Sequence, residues 1–209
     1  MSENKVRIAV LVSGGGTNLQ AIIDAQKGGV IKSGEVTLVI SNNSKAYALE
    51  RAANAGIPSA VITRKEFDND QAKFESALIK ALDDNGTGLI ILAGFMSILS
   101  EDFTHRYEHR IINVHPSLIP SFCGKGFYGL KVHEAALAKG VKVTGATVHF
   151  VNEIPDGGEI ILQKAVEVQD GDTPEILQKR VMEQAEWKIL PEAAEKVCSE
   201  ILSKNNGGK

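Results

Sequence analysis

The apolar positions of the chain fall into short continuous runs that alternate with longer stretches of helical spacing. Val6–Val12 is apolar except for Arg7, which is typical of a strand buried in a parallel sheet. Similar runs occur at residues 36–40, 59–62 and 89–92. Between them, apolar residues recur three or four positions apart, which predicts helices from residue 19 and at 47–55, 67–82 and 101–107. This alternation predicts a doubly wound, Rossmann-like α/β fold with ligands at the carboxyl ends of its strands.

The second half of the chain departs from the regular alternation. After a β-branched run that begins at Ile111, the pattern predicts a helix at 130–138 and then two consecutive strands, at 141–151 and 159–168. A final helical stretch opens at Thr173-Pro174 and continues past Pro191. Because two strands joined by a short turn run antiparallel, we expect a mostly parallel sheet with a mixed C-terminal part.

A glycine-rich turn joins the first predicted strand to the first predicted helix. The segment Ser13-Gly14-Gly15-Gly16-Thr17-Asn18 would aim backbone N–H groups at a phosphate, although an ordinary tight turn has the same composition. It lacks the Gly-Lys-Ser/Thr of a P-loop, and Leu19 occupies the place of the third glycine in GxGxxG. The second strand ends in Ser41-Asn42-Asn43 rather than in an acid for a ribose. We therefore expect this loop to hold one phosphate.

The stretch Ile-Ile-Asn-Val-His-Pro-Ser-Leu-Ile-Pro at 111–120 carries the strongest candidate chemistry. Asn113 and His115 are two residues apart on a predicted strand, so their side chains share one face. Pro116 then ends the strand. An amide and an imidazole side by side offer two donors to a single oxygen, which suits an oxyanion. A buried asparagine and a satisfied core histidine are the structural alternative.

Composition and charge restrict the class of partner. The 209 residues are 43% hydrophobic and 23% charged, which is enough for one globular domain with a substantial core. The formal net charge is −3 and no Lys/Arg run exceeds two residues, so neither nucleic acid nor an anionic membrane is expected as a partner. The N-terminal apolar run covers only residues 8–12, which fits neither a signal peptide nor a spanning helix. We expect a cytoplasmic protein that acts on small molecules.

The cysteine and histidine spacings do not predict a metal site. Cys123 and Cys198 lie far apart without a CxxC pair. His105 and His109 are four residues apart, but their segment is highly charged and lacks HExxH, so a solvated helix end is the better interpretation. Asp156, in a glycine-flanked turn between two predicted strands, is by itself an ordinary turn residue.

Three motifs together resemble the glycinamide ribonucleotide formyltransferase family, the folate-dependent formyl-transfer enzymes of purine biosynthesis. They are SGGGTN after the first strand, AGFMSILS before NVHPSLIP, and HFVNEIPDGG after a late strand. The resemblance covers nearly the whole length. The Asn-x-His-Pro-Ser-Leu-Ile-Pro and Asp-Gly-Gly combination is specific to formyl transfer on folate, and the SGGGTN loop indicates a phosphoribosyl acceptor.

The resemblance implies a role for each matching residue. Asn113, His115 and Asp156 would be catalytic. The acceptor would be bound by Gly14, Gly15, Gly16, Thr17, Asn18 and Glu186. The folate pocket would be formed by Met96, Ser97, Ile98, Leu99, Asn113, Asn152, Glu153, Ile154, Pro155 and Asp156. The implied co-substrate is 10-formyltetrahydrofolate and no metal is implied. The chain would be a single formyltransferase domain, 1–209, with a phosphoribosyl-binding half (about 1–110) and a catalytic and folate-binding half (about 111–209), as a monomer or homodimer.

The sequence also departs from the pattern of the family. Ser97 and Asp70 stand where arginines that contact a ligand are usual, and Arg64 or Lys65 are candidates to compensate. The spacing from Arg180 to Glu186 is one residue longer than usual, and the flap at residues 121–129 is several residues longer.

The mechanism that the resemblance implies is direct attack of the acceptor amine on the formyl carbon. Asn113 and His115 would donate to the oxyanion of the tetrahedral intermediate. Asp156 would raise the pKa of His115 or relay a proton, and these two roles stay open. No covalent intermediate is expected, since Ser117 follows Pro116 and shapes the turn, and Cys123 has no identifiable base.

Three other functions are compatible with parts of this pattern. A formyltetrahydrofolate deformylase would require an additional regulatory domain, and a methionyl-tRNA formyltransferase would require a basic C-terminal domain. Both alternatives are therefore disfavoured. A non-catalytic phosphate- or nucleotide-binding module would use the glycine loop alone and would leave Asn113, His115 and Asp156 without a function.

Overall fold

The computed structural model describes residues 5–206, and this part of the chain is built around a seven-stranded sheet. The strand order is β3-β2-β1-β4-β5-β6-β7. Strands β1 to β5 run parallel, whereas β6 is antiparallel to β5 and β7 is antiparallel to β6. The predicted mostly parallel α/β sheet with a mixed C-terminal part is confirmed. The strands are β1 (Val6–Val12), β2 (Gly34–Ser41), β3 (Ser59–Val61), β4 (Leu89–Leu92), β5 (Ile111–His115), β6 (Val143–Phe150) and β7 (Ile160–Glu167).

The helices connect these strands and cover both faces of the sheet. They are α1 (Thr17–Lys27), α2 (Tyr47–Asn54), α3 (Gln71–Asp84), α4 (Glu101–Arg106), α5 (Leu130–Lys139), α6 (Pro174–Val181) and α7 (Trp187–Asn206). A 3₁₀ turn spans Arg64–Phe67, and a π-helical segment, Met182–Glu186, joins α6 to α7. In the part of the chain that the structure describes, none of the helices combines the length and the apolar character needed to cross a membrane.

The alternation of side chains along β1 separates two apolar cores. Ile8 and Val10 pack in one core with residues of α1, α2, α6 and α7, whereas Ala9 and Leu11 pack in the other with α3 and α4. Both cores continue to the carboxyl ends of the parallel strands. A ligand that binds at this edge can therefore contact residues of the α1/α7 face or of the α3/α4 face.

Two predicted helices end differently in the structure. The helix predicted at 67–82 is interrupted because Asp68 and Asn69 adopt left-handed backbone angles, with φ of 53° and 61°. Asp70 then accepts a hydrogen bond from the Lys73 N–H as the N-cap of α3. The final helical stretch is divided by the π-helical segment, although Pro191 lies within α7. Residues 1–4 and 207–209 of the predicted domain lie outside the described part.

Candidate active site

The end of β5 brings the predicted amide and imidazole together with a histidine of β6. Asn113 pairs with His149 across the antiparallel β5–β6 ladder, and His115 pairs with Thr147. Directly opposed residues of such a ladder have neighbouring side chains. The Asn113 Nδ2 atom lies 3.2 Å from His149 Nε2, and His115 is 4% exposed. The two predicted residues therefore face a third polar group at the same sheet edge.

Asp156 lies in the loop between β6 and β7, and its carboxylate lies between the two imidazoles. Its Oδ2 atom is 3.4 Å from His115 Nδ1, and its Oδ1 atom is 3.6 Å from His149 Nε2. The loop returns closely onto β6 at Gly158, where an added Cβ would lie 1.8 Å from the Phe150 carbonyl oxygen. Only glycine fits that approach. The structure thus brings Asn113, His115 and Asp156 together, as the resemblance implies.

The hydrogen bonds of His149 define its tautomer and its role in the cluster. Its Nδ1 atom lies 2.7 Å from the Phe150 carbonyl oxygen, which can only accept, so Nδ1 carries a proton. In the neutral ring, Nε2 therefore accepts a hydrogen bond from the Asn113 amide. His149 thereby fixes the orientation of Asn113. Sequence reasoning did not select His149, although its place in the β6 alternation puts it on the same side of the strand as Thr147.

The pKa of His115 is shifted opposite to the expectation. Burial lowers the pKa of His115 below its ordinary value, and this effect outweighs the attraction of the Asp156 carboxylate and the contact with Phe122, which both raise it. The prediction that Asp156 would raise the pKa above its usual value was wrong, because the sequence does not show how completely the ring is desolvated. Burial also raises the pKa of Asp156, but the contacts with His149, Gly124 and His115 leave it below its ordinary value. Asp156 is therefore ionised at neutral pH.

The flap, residues 121–129, contacts both partners of the His115–Asp156 pair. His115 Nε2 lies 2.8 Å from the Phe122 carbonyl oxygen, and the Gly124 N–H donates to Asp156 Oδ2 at 2.8 Å. Phe122 adopts a left-handed backbone with φ of 50°. The Phe122 carbonyl oxygen therefore accepts a hydrogen bond from Nε2, the ring nitrogen of His115 that points away from Asp156.

The glycine-rich loop follows β1 on the α1/α7 face of the sheet. Gly16 has φ of 71°, and an added Cβ would lie 2.7 Å from the Ala48 Cβ, so this position requires glycine. A Cβ at Gly14 or Gly15 would meet nothing within 4 Å. The N-cap of α1 has no side-chain hydrogen bond. The loop thus presents open backbone at a helix N-terminus, which suits an anion.

Glu186 packs against this loop from the π-helical segment. Its Oε2 atom accepts a hydrogen bond of 2.9 Å from Asn18 Nδ2. Burial raises the pKa of Glu186 to about 7, and the Asn18 hydrogen bond lowers it only in part. A π-helical turn contains one residue more than an α-helical turn. The π-helical segment Met182–Glu186 thus places Glu186 beside Asn18.

A cavity of about 160 Å³ opens beside the Asn113–Asp156 cluster on the α3/α4 face. Met96 does not line this cavity. Its side chain is 58% exposed, and its N–H donates to the hydroxyl of Ser13, next to the glycine-rich loop. The other predicted folate-pocket residues all line the cavity, and they are joined by apolar neighbours and His149. The full set is Leu92, Phe95, Ser97, Ile98, Leu99, Asn113, His149, Val151, Asn152, Glu153, Ile154, Pro155 and Asp156.

Candidate metal ligands do not converge in the described part of the chain. Residues 5–206 contain no group of three or more His, Cys, Asp or Glu side chains arranged to hold an ion. His105 lies in α4, and His109 follows that helix with a left-handed φ of 54°, so the two do not share a helical turn.

The geometry of the cluster and the fold agree with a match to a known family. Residues 6–194 match the formyl transferase family, and the chain belongs to that family. The resemblance seen in the three motifs is thereby confirmed. Among individual relatives, phosphoribosylglycinamide formyltransferase of Haemophilus influenzae is 44% identical over 185 residues, covering 88% of this chain and 84% of the relative.

Two further comparisons support the same family, one with a much longer protein and one with a solved structure of similar length. The trifunctional purine biosynthetic protein adenosine-3 of Gallus gallus is 45% identical over 206 residues, which are 99% of this chain, but the chain spans only 20% of that protein. The crystal structure of glycinamide ribonucleotide transformylase 1 from Symbiobacterium toebii superposes with a TM-score of 0.87 at 42% identity, covering 94% of this chain and 89% of that chain.

Proposed function

We propose that this protein transfers the formyl group of 10-formyltetrahydrofolate to the glycyl amine of 5′-phosphoribosylglycinamide, a step of purine biosynthesis. The observation that carries the proposal is the position of the Asp156 carboxylate, 3.4 Å from His115 Nδ1, in a cluster that also contains Asn113. Family membership and the names of the relatives support the same reaction.

The reaction begins when the neutral amine attacks the formyl carbon. The formyl oxygen becomes negative in the tetrahedral intermediate, and Asn113 Nδ2 and His115 Nε2 donate to it from fixed positions. The amine then loses a proton, the bond from carbon to the folate nitrogen breaks, and that nitrogen gains a proton. Asp156, which is ionised, passes this proton through water. The loss of one oxyanion donor typically costs about 3 kcal/mol of transition-state stabilisation.

The contacts of the flap require that it opens before reaction. Because the Phe122 carbonyl occupies His115 Nε2, the formyl oxygen must replace this carbonyl as the acceptor. The Gly124 N–H must also leave Asp156 Oδ2 if a water molecule is to bind there. The flap thus protects the buried cluster when the folate is absent and moves away on binding.

The two substrates reach the cluster from opposite faces of the sheet. The acceptor phosphate binds the glycine-rich loop on the α1/α7 face, with Glu186 nearby, and the folate occupies the cavity on the α3/α4 face. We propose a single domain in which both halves contribute to both sites. Ser97, from the half before residue 110, lines the folate cavity, and Glu186, from the half after it, contacts the acceptor loop. Aligning two substrates lowers a bimolecular barrier by several kcal/mol. We propose a cytoplasmic monomer or homodimer with small-molecule substrates.

A folate absorbance assay tests the proposal. The protein is mixed with phosphoribosylglycinamide and 10-formyltetrahydrofolate, and each substrate is omitted in turn. We expect turnover only with both substrates. Rapid formate release without the acceptor would instead indicate a deformylase, which shares the Asn/His/Asp cluster. A His115→Ala variant distinguishes the enzyme from a non-catalytic binding module. The enzyme should lose transfer activity, whereas such a module would keep its ligand and have no transfer activity to lose.

A further inference from the structure

Helix α2 lies directly behind the glycine-rich loop. Helix α1 follows β1 and α2 follows the neighbouring parallel strand β2, so both helices begin at the same edge of the sheet. A Cβ added at Gly16 would lie 2.8 Å from the Ala48 Cα atom and 3.3 Å from the Arg51 Cδ atom, both in α2. Residues that follow β2 are therefore close enough to fix the conformation of the loop.

Three successive main-chain carbonyl groups of the loop accept hydrogen bonds from residues 43–51. The pairs are Asn43 Nδ2 with the Ser13 carbonyl at 3.1 Å, the Ala48 N–H with the Gly14 carbonyl at 3.1 Å, and Arg51 Nε with the Gly15 carbonyl at 2.8 Å. A peptide unit is planar, and its plane also contains the N–H of the next residue. Each of these bonds therefore fixes the direction of one N–H group of the loop.

The N–H groups of the same peptide units are available to a ligand. These peptide bonds are trans, so each N–H points away from the carbonyl of its own unit and from the group that donates to that carbonyl. Within residues 5–206, the N–H groups of residues 14–18 have no hydrogen-bond partner. The contacts from residues 43–51 thus satisfy one side of the loop and leave its donors free for an anion.

Arg51 is the charged member of these three contacts. Its Nη1 atom also donates to Gln20 Oε1 in α1 at 3.1 Å, and its Cζ atom lies 5.0 Å from the centre of the Tyr47 ring. In residues 5–206, the ion pairs do not include Arg51. Neutral groups therefore hold the guanidinium beside a loop, residues 13–18, whose sequence contains no cation. A charged donor on the Gly15 carbonyl polarises the peptide unit and makes the Gly16 N–H a stronger donor.

We propose that Arg51 is a positioning residue for the acceptor phosphate. Its guanidinium holds the Gly15–Gly16 peptide unit with the N–H directed to the ligand, and its positive charge favours a phosphate dianion at the loop. Because Arg51 donates on the carbonyl side of this unit, it acts through the loop rather than by touching the phosphate. The proposal rests on the proposed function, since it requires the acceptor phosphate at the glycine-rich loop.

Steady-state kinetics of Arg51→Met test the proposal, because methionine keeps an unbranched side chain beside Gly16 but removes the guanidinium. We expect the KM for phosphoribosylglycinamide to rise about tenfold, while kcat and the KM for 10-formyltetrahydrofolate stay within about twofold, since the phosphate is bound equally before and during reaction. Ribose 5-phosphate, a competitive inhibitor against the acceptor, should lose affinity by the same factor. Arg51→Lys keeps a charged donor, and its acceptor KM should stay within about threefold of wild type.

Arg106→Met is the matched control. Arg106 is exposed at the end of α4, which precedes the amino end of β5, whereas the glycine-rich loop follows the carboxyl end of β1. Because β1, β4 and β5 run parallel, Arg106 and the loop lie at opposite edges of the sheet. The control variant should keep the wild-type constants.

The outcomes separate this proposal from the proposed function. If wild type transfers no formyl group, the proposed function fails and the positioning role fails with it. If wild type is active, the positioning role alone is overturned by an unchanged acceptor KM in Arg51→Met, or by equal changes in kcat and in both KM values, which would indicate a general distortion. Unchanged inhibition by ribose 5-phosphate, an Arg51→Lys variant as weak as Arg51→Met, or the same loss in Arg106→Met would also overturn it.

Discussion

A partly buried and a fully buried carboxylate on opposite sides of the same sheet edge show how burial and partners together decide the charge of a group. Burial raises the pKa of both Asp156 and Glu186. Asp156 has two imidazoles and a main-chain N–H around it, and its pKa falls below the ordinary value. Glu186 has a single amide, from Asn18, and its pKa rises to about 7. Partial burial with several partners thus leaves Asp156 an anion at the reacting end, whereas complete burial with one partner makes Glu186 a titrating group at the acceptor loop.

The largest expected effect comes from removing the charge of Asp156. Asp156→Asn keeps the size of the side chain but removes the proton relay, and a general acid–base contribution of this kind is worth roughly a thousandfold in kcat. Both substrates should still bind, because neither the glycine loop nor the apolar cavity wall changes. Steady-state kinetics measure this, with Glu159→Gln, an exposed acid in the same β6–β7 loop, as the control. Near-normal turnover of Asp156→Asn would refute the role of Asp156.

The next effect tests the donor that His149 orients. Asn113→Ala removes one of two donors to the oxyanion, and we expect kcat to fall by a few hundredfold, about 3 kcal/mol. The KM for each substrate should change little, since the lost interaction is made in the transition state. A variant that raised KM and kept kcat would show that Asn113 only binds the folate.

The third prediction concerns stability and tests the other carboxylate of the comparison. The folded protein holds a proton on Glu186 up to a pH of about 7, whereas the unfolded chain loses it near the ordinary glutamate pKa of 4.5. The folded state therefore binds more protons between these values, and the contribution of Glu186 to the unfolding free energy falls as the pH rises through this window. We expect Glu186→Gln to remove up to about 3 kcal/mol of this pH dependence.

Urea unfolding of the wild type and of Glu186→Gln at pH 5 and pH 8 measures this difference in pH dependence. The wild type should lose more stability than Glu186→Gln between the two values, and Glu183→Gln, an exposed neighbour in the same π-helical segment, serves as the control. Equal losses for wild type and Glu186→Gln would show that Glu186 titrates normally.

The smallest expected effect concerns His149. His149→Ala removes the acceptor that holds the Asn113 amide, and the loss of one neutral hydrogen bond corresponds to a decrease in kcat of about tenfold. A double-mutant cycle with Asn113→Ala isolates the coupling. If His149 acts through Asn113, the double variant should be little worse than Asn113→Ala alone, whereas fully additive losses would mean that His149 acts independently.

Sequence reasoning identified the fold and the β5 pair because both depend on local periodicity. Alternation along one strand places Asn113 and His115 on the same face whatever surrounds them. Asp156 is different, because its position depends on how a loop closes onto another strand, and only the resemblance to a family indicated it. His149 could have been selected, since β6 alternates regularly, but its pairing register with β5 is not visible in the sequence.

Environment-dependent properties were not predictable from the sequence. The pKa of His115 depends on burial beneath a flap whose conformation no local pattern specifies. The π-helical segment before α7 is likewise not indicated by the helical spacing of the apolar residues, although it places Glu186 beside Asn18. The cations Lys45, Arg64 and Lys65 line one groove because β2 and β3, the strands that precede their two loops, pair in the sheet.

A crystal structure of the protein with phosphoribosylglycinamide and 10-formyl-5,8-dideazafolate tests the central claim most directly. The account predicts that the formyl oxygen lies within hydrogen-bond distance of both Asn113 Nδ2 and His115 Nε2, with the Phe122 carbonyl displaced and the acceptor phosphate on the glycine-rich loop. A complex in which the formyl oxygen contacts neither side chain, and Phe122 still accepts from His115, would contradict it.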